Sequence, residues 1–231
     1  MSTRRLIILD LETVPAPWAP PPETVDFPEL PAHLPVVIGW LCVDLEPGKP
    51  AVIVDRTEMG EPGERWERAA LLKLGDDIKG AGALVTYNGR GFDMPLLQLR
   101  ALALAVPWEF WEAKRHRFPA YQKPLFHLDM YDQLGDFGAA RNLSLDGIAS
   151  MCGLAGKDDM HGSRVKDEWA AGEHEKVRRY CVSDLVTTLQ VYLRFLWMRG
   201  DADAGDVKRW LGDVDAWVEV LDSKTTGGED A

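Results

Sequence analysis

Apolar positions fall into two rhythms along the 231-residue chain. Arg5 to Leu9 is short, β-branched and apolar, and predicts a buried strand that ends at the acidic step Asp10-Leu11-Glu12. Val36 to Asp44 and Ala51 to Arg56, joined by the turn-forming Glu46-Pro47-Gly48-Lys49, predict a hairpin that makes an antiparallel trio with it. Glu64 to Lys79 carries Trp66, Ala69, Ala70, Leu74 and Ile78 at helical spacing. Ala83 to Tyr87 reads as another buried strand, running through Asn88-Gly89-Arg90-Gly91 into a helix that begins near Asp93. Further helices are predicted at Tyr131 to Leu134, Leu145 to Met151 and Glu173 to Met198. Trp108 to Phe126 is aromatic and basic with no clean period.

Two segments break this order. Eight of the fifteen prolines lie from Pro15 to Pro35, which predicts a long irregular insertion beside Glu12. At the other end, Val207, Trp210, Leu211, Val214, Trp217, Val218 and Leu221 recur at intervals of three and four, so 206–222 should form an amphipathic helix. Its Trp-rich stripe needs cover, from the chain's own body or from a second copy in a homodimer. The expected organisation is thus a domain over 1–200 with the insertion at 15–35, followed by an acidic helix and tail over 201–231.

Composition changes this picture little. Hydrophobic residues make up 46% and charged residues 27%, ordinary for a globular chain, which excludes disordered and fibrous classes. The longest nearly uncharged apolar run, 34–43, is far short of the roughly 20 residues that a spanning helix needs, and the start lacks a leader-like core, so a cytoplasmic location is expected. Three widely spaced cysteines without a CxxC pair predict buried reduced thiols. The net charge of -11 lacks the usual basic footprint of a nucleic-acid binder, but nine of the acids crowd the last 31 residues.

The chemistry lies in the acids. Asp10 and Glu12 are two apart on a strand, so both side chains share one face, where hard divalent cations such as Mg²⁺ or Mn²⁺ are the natural compensation. The alternative at this point is a solvated strand end. Asp93 opens a helix after a second strand terminus, which suits either a helix-start acid or a metal ligand. Tyr180 and Asp184 are four apart on the strongest helix and stack one turn from each other.

Together these residues resemble the DEDD superfamily of 3′-to-5′ exonucleases, and within it the tyrosine-bearing DEDDy branch shared by the proofreading domains of family B DNA polymerases. The first motif is Ile8-Leu9-Asp10-Leu11-Glu12-Thr13, the second Tyr87-Asn88-Gly89-Arg90-Gly91-Phe92-Asp93, the third Tyr180-Cys181-Val182-Ser183-Asp184. The histidine-bearing branch places its His where Arg179 stands. The resemblance implies an α/β fold of ribonuclease-H-like type, a mixed sheet with flanking helices. It also implies two divalent cations, Mg²⁺ or Mn²⁺, held by Asp10, Glu12, Asp93 and Asp184, with Tyr180 orienting the attacking water. Thr13, Asn88 and Phe92 would lie near the terminal nucleotide. The implied partner is the 3′ end of a single strand, DNA or RNA, with DNA the expected substrate and no membrane involved.

Two other readings compete. A haloacid-dehalogenase-type phosphatase also opens on an apolar strand with Asp-x-Asp-x-Thr, but Glu12 is a methylene too long there and the later motifs have no role. A non-catalytic nucleic-acid or protein-binding module would not need all five side chains. Trp108, Trp111, Lys114 to Arg117, Tyr121 and Lys123 mix cations with aromatics as a single-strand groove does, and Arg164 and Lys166 are similar candidates.

Overall fold

A computed structural model describes residues 4–20, 28–63, 65–108, 127–154 and 160–226. Six strands form one sheet: β1 (Arg4–Pro15), β2 (His33–Leu45), β3 (Val52–Asp55), β4 (Glu58–Met59), β5 (Ala83–Thr86) and β6 (His127–Asp129). The order is β3-β2-β1-β5-β6, with β4 paired to β2 beside β3. The β3-β2-β1 half is antiparallel and the β1-β5-β6 half parallel, which is the expected mixed sheet. Seven α-helices are described: α1 (Arg65–Gly80), α2 (Asp93–Ala103), α3 (Met130–Leu134), α4 (Leu145–Met151), α5 (Val165–Ala170), α6 (His174–Met198) and α7 (Ala204–Thr226).

The period of two on β1 divides the core. Leu6 and Ile8 face one way, into a cluster with Leu41 and Val43 of β2, Leu185, Leu189 and Tyr192 of α6, and Val207, Trp210 and Val214 of α7. Ile7, Leu9 and Leu11 face the other way, into a cluster with Trp40, Leu71, Leu74 and Ile78, and Met94 and Leu97 of α2. Continuing the first series places Asp10 and Glu12 on the α6 side of the sheet.

Two boundaries differ from the sequence reading. β1 does not end at the acidic step but continues to Pro15, and β2 starts at His33, so the irregular part of the Pro-rich insertion is shorter than 15–35. A register shift between Glu12 and Thr13 lets Pro35, which has no N–H to give the ladder, pair opposite Thr13. Residues 21–27 lie outside the described part. Of the three unpaired cysteines only Cys181 is fully buried, while Cys42 and Cys152 are half-buried.

α7 sits on its own chain. Trp210 is fully buried and donates its indole N–H to the Lys49 carbonyl at 3.0 Å. Asp206 and Asp213 accept the main-chain N–H groups of Gly48 and Ala51, each at 2.8 Å, so α7 holds the β2–β3 turn. No helix of the described residues is long and apolar enough to cross a membrane.

Candidate active site

β1 outruns its parallel neighbour. Its pairing with β5 stops at Ile8–Val85, two residues before Asp10, so the acidic part of β1 extends past the carboxyl end of β5, the side on which α/β sheets form a crevice. Such crevices are where α/β sheets bind ligands. Asp10 and Glu12 enter it from β1, Asp93 from the first turn of α2, and Tyr180 and Asp184 from α6. Ligand atoms of Asp10, Glu12 and Cys181 lie within 4.8 Å of one another.

α6 comes unusually close to the sheet here. Gly39, opposite Asp10 in the β1–β2 register, leaves room for it: a Cβ at that position would stand 2.5 Å from the Cys181 Sγ and 3.0 Å from Leu185 Cδ1. The Cys181 thiol is fully buried and donates to the Asp10 carbonyl at 3.8 Å. Burial and the carboxylates of Asp10, Glu12 and Asp184 push its pKa well above the ordinary thiol value, so it stays protonated, unlike a thiolate metal ligand. The sequence offered no sign of this role beyond its place next to Tyr180.

The Tyr180 hydroxyl hydrogen-bonds to Asp184 and adjoins Gly162, whose Cβ would lie 3.5 Å from it. Burial first, then the charges of Asp184, Glu12 and Asp10, raise the Tyr180 pKa far above that of a free phenol. It is therefore a fixed O–H group at neutral pH and not a base.

Asp93 is buried to 5% exposure, and its carboxylate accepts from its own N–H and from that of Leu11, between the two β1 acids. Desolvation, reinforced by Asp129 and Asp184, pushes its pKa up to about 7 despite those bonds. Carboxylates crowded at this cost fit hard divalent cations, whose charge would reverse the penalty; the oxygen donors of Asp10, Glu12, Asp93 and Asp184 suit such ions.

The turn that aims Asp93 is held by a residue that sequence reasoning missed. Asp129, at the end of β6, is 2% exposed and accepts the N–H groups of Asn88 (2.8 Å), Arg90 (2.8 Å) and Tyr131 (3.0 Å). It thereby fixes Asn88 in a left-handed conformation, φ 63°. Arg90 adds a bidentate ion pair with Asp132, one of its bonds being 2.7 Å. An Asp directly before a helix has the ordinary look of an N-cap, which Asp129 also is.

The expected substrate residues divide. Thr13 and Phe92 are half-buried at the rim and both touch His33. Asn88 is exposed, and its main chain serves the turn. Lys114 to Arg117, Trp111, Tyr121 and Lys123 lie outside the described residues, while Trp108 packs against the α1–α2 core. Arg164 pairs with Glu168 on α5, and Lys166 is exposed.

Against this geometry the comparisons with known proteins are specific. The chain is 27% identical over 171 residues to a DNA polymerase of Thermococcus kodakarensis, covering 70% of this chain and 10% of that protein. It thus spans about a tenth of the length of that relative. The structure of the family B DNA polymerase from the hyperthermophilic archaeon Pyrobaculum calidifontis superposes with a TM-score of 0.58 at 20% identity, over 84% of this chain and 24% of that one. That likeness shows the fold: a mixed sheet with flanking helices of the ribonuclease-H-like kind found in the exonuclease domain of such polymerases. A family model described as a predicted 3′-5′ exonuclease related to the exonuclease domain of PolB matches residues 26–227. Asp93, Tyr180 and Asp184 lie inside that match, and Asp10 and Glu12 precede it. The chain belongs to this family of predicted 3′-5′ exonucleases related to the exonuclease domain of PolB.

Proposed function

We propose that the protein is a metal-dependent 3′-5′ exonuclease that shortens single-stranded nucleic acid, DNA by preference, to nucleoside 5′-monophosphates. The observation that carries this reading is the meeting of Asp10, Glu12, Asp93, Tyr180 and Asp184 beyond the end of β5, from three separate elements. Two divalent cations, Mg²⁺ or Mn²⁺, bound by Asp10, Glu12, Asp93 and Asp184 would supply an acidified water nucleophile and charge stabilisation for the departing 3′ oxygen.

The remaining chemistry belongs to the chain. Tyr180, kept protonated by burial and by its carboxylate neighbours, donates its O–H to Asp184 and orients a water through its oxygen, which accepts, without taking the proton. Asp184, bonded to that hydroxyl, couples the orientation to the acidic cluster. Asp93 is held by main-chain donors, so its carboxylate is placed before any substrate arrives. Phe92 offers an apolar surface at the rim that any base can meet, which suits a strand end of mixed sequence.

The test is hydrolysis of 5′-labelled and 3′-labelled single strands of DNA and RNA, with Mg²⁺, with Mn²⁺ and with chelator. Stepwise shortening of the 5′-labelled strand and immediate release of the labelled 3′ mononucleotide are expected with metal only. Asp10→Ala should reduce turnover by at least about 10³-fold, as loss of a charge-stabilising group does. A variant as active as the parent protein would refute the site.

A further inference from the structure

His33 opens β2 and is 4% exposed, next to the acidic crevice but outside the set of acids. Its Nε2 lies 3.2 Å from the Pro28 carbonyl, and its Nδ1 lies 3.0 Å from Thr13 Oγ1. Its ring meets that of Phe92 edge-on, with centroids 5.0 Å apart and planes at 87°. A carbonyl only accepts, so Nε2 carries the proton; burial lowers the His33 pKa and keeps the ring neutral, which leaves Nδ1 as an acceptor. The Thr13 hydroxyl must therefore donate to Nδ1, and to any further partner it offers lone pairs alone.

These contacts add a side-chain link between two parts of the rim whose backbones already meet through the Leu11 N–H and the Asp93 carboxylate. Thr13 follows Glu12 directly, at the point where the β1–β2 register shifts, and Phe92 precedes Asp93 as the residue from which α2 starts. The Asp93 carboxylate ties the two backbones through the Leu11 N–H, but that bond does not itself fix how the two side chains face each other. The imidazole does so through one hydrogen bond and one aromatic contact, anchored to the backbone by a second hydrogen bond.

We propose that His33 is a positioning residue that holds the Thr13 hydroxyl and the Phe92 ring at a set separation and orientation, and so determines how tightly the 3′ end of a strand is seated. The proposal rests on the exonuclease reading, in which the crevice receives that end. His33 touches no reacting atom. Its loss should weaken seating of a strand and leave the acid machinery intact.

The experiment compares His33→Phe, which keeps a ring but deletes both nitrogens, with His33→Asn, whose side-chain oxygen can replace Nδ1 as acceptor for Thr13. Thr13→Val and the Thr13→Val/His33→Phe double variant complete a cycle. Steady-state rates are measured on a fluorescent single-stranded 12-mer and on bis(p-nitrophenyl) phosphate, which has acid-site chemistry but no strand end. For His33→Phe, KM on the 12-mer should rise about 10-fold with kcat within about 2-fold, as expected for loss of uniform binding. Hydrolysis of the small diester should be unchanged. His33→Asn should recover part of the KM, and the double variant should be no worse than the worse single one. An unchanged KM, an equal fall on both substrates, or additive effects would overturn the proposal.

Binding of the 12-mer in chelator, read by fluorescence anisotropy, keeps this proposal apart from the exonuclease reading. A parent protein that hydrolyses neither substrate but binds the strand about 10-fold more tightly than His33→Phe refutes the hydrolysis and supports His33. Equal binding refutes the role of His33 whatever the activity, and a parent protein that binds no strand refutes both. If His33→Phe does not fold, Thr13→Val and His33→Asn test the same bond from either end.

Discussion

Replacing Asp93 by Asn should stabilise the metal-free protein while removing its activity. The folded-state pKa of Asp93 is raised from 3.8 to about 7 by burial and by the charges of Asp129 and Asp184. At about 1.4 kcal/mol per pH unit, ionising it in the folded protein above pH 7 costs up to roughly 4 kcal/mol. The sign follows from linkage. The native carboxyl binds its proton more tightly than the unfolded one, so its contribution is fully present below pH 3.8 and is lost as pH rises through about 7. Asn cannot ionise, but its amide turns a donor towards one of the two main-chain N–H groups that the carboxylate accepts, which returns about 1–3 kcal/mol. The net gain at pH 8 in chelator is therefore about 2 kcal/mol, or about 4–8 °C in Tm for a chain of this length. Thermal melts of both proteins from pH 4 to 8 check it, because subtracting the parent curve removes the groups of opposite slope, such as Asp44 and Asp206, whose pKa values are lowered. The Tm difference should grow from pH 4 to 7 and then level. Adding Mg²⁺ or Mn²⁺ should raise the parent Tm far more than that of the variant. A difference independent of pH, or a variant less stable than the parent at pH 8 in chelator, would refute the account of Asp93 as a strained, charge-crowded ligand.

The other expectations concern the groups around it. Tyr180→Phe deletes only the hydroxyl and should lower single-turnover rate on the order of 10²-fold with metal-induced stabilisation retained; an unchanged rate would reduce Tyr180 to a packing residue. Gly39→Ala puts a Cβ 2.5 Å from the Cys181 Sγ and 3.0 Å from Leu185 Cδ1, so these buried side chains of α6, or the helix with them, must shift. Chemical denaturation should show a loss of about 1–3 kcal/mol, activity should fall with it, and Cys181→Ala in the same chain should restore much of both. Asp129→Ala leaves the N–H groups of Asn88, Arg90 and Tyr131 without their acceptor and should cost about 3 kcal/mol or more by denaturant melts, together with turnover.

The parts of this molecule that were legible in its sequence are those whose geometry is local. A strand's period of two places Asp10 and Glu12 on one face whether the strand ends there or continues to Pro15, so the error about its end did not disturb the site. Tyr180 and Asp184 share a helix face for the same kind of reason, and α4 forms over the expected Leu145–Met151. What stayed hidden depends on chain segments far apart. β6 has three residues and follows a stretch without period, so no window could reveal it. With it went Asp129, which acts on a turn about 40 residues earlier in the chain. His33 was hidden in another way: proline content marked its surroundings as irregular, but the register shift at Glu12 lets an extended strand form there.

The two kinds of residue divide along the same line as their work. In the proposed reaction the acids and Tyr180 meet whatever reacts, so their identity and spacing would carry the chemistry, and a sequence displays them. Asp129, Gly39 and His33 act through other residues: one fixes a turn, one admits a helix, one joins two rims. Each does so with a property that many residues share, three accepted N–H bonds, an absent Cβ, or a neutral ring with an acceptor nitrogen. Only the contacts distinguish such residues from ordinary ones. Their substitutions should therefore alter binding, stability and rate in proportions set by what each one holds, whereas loss of an acid should remove the reaction itself.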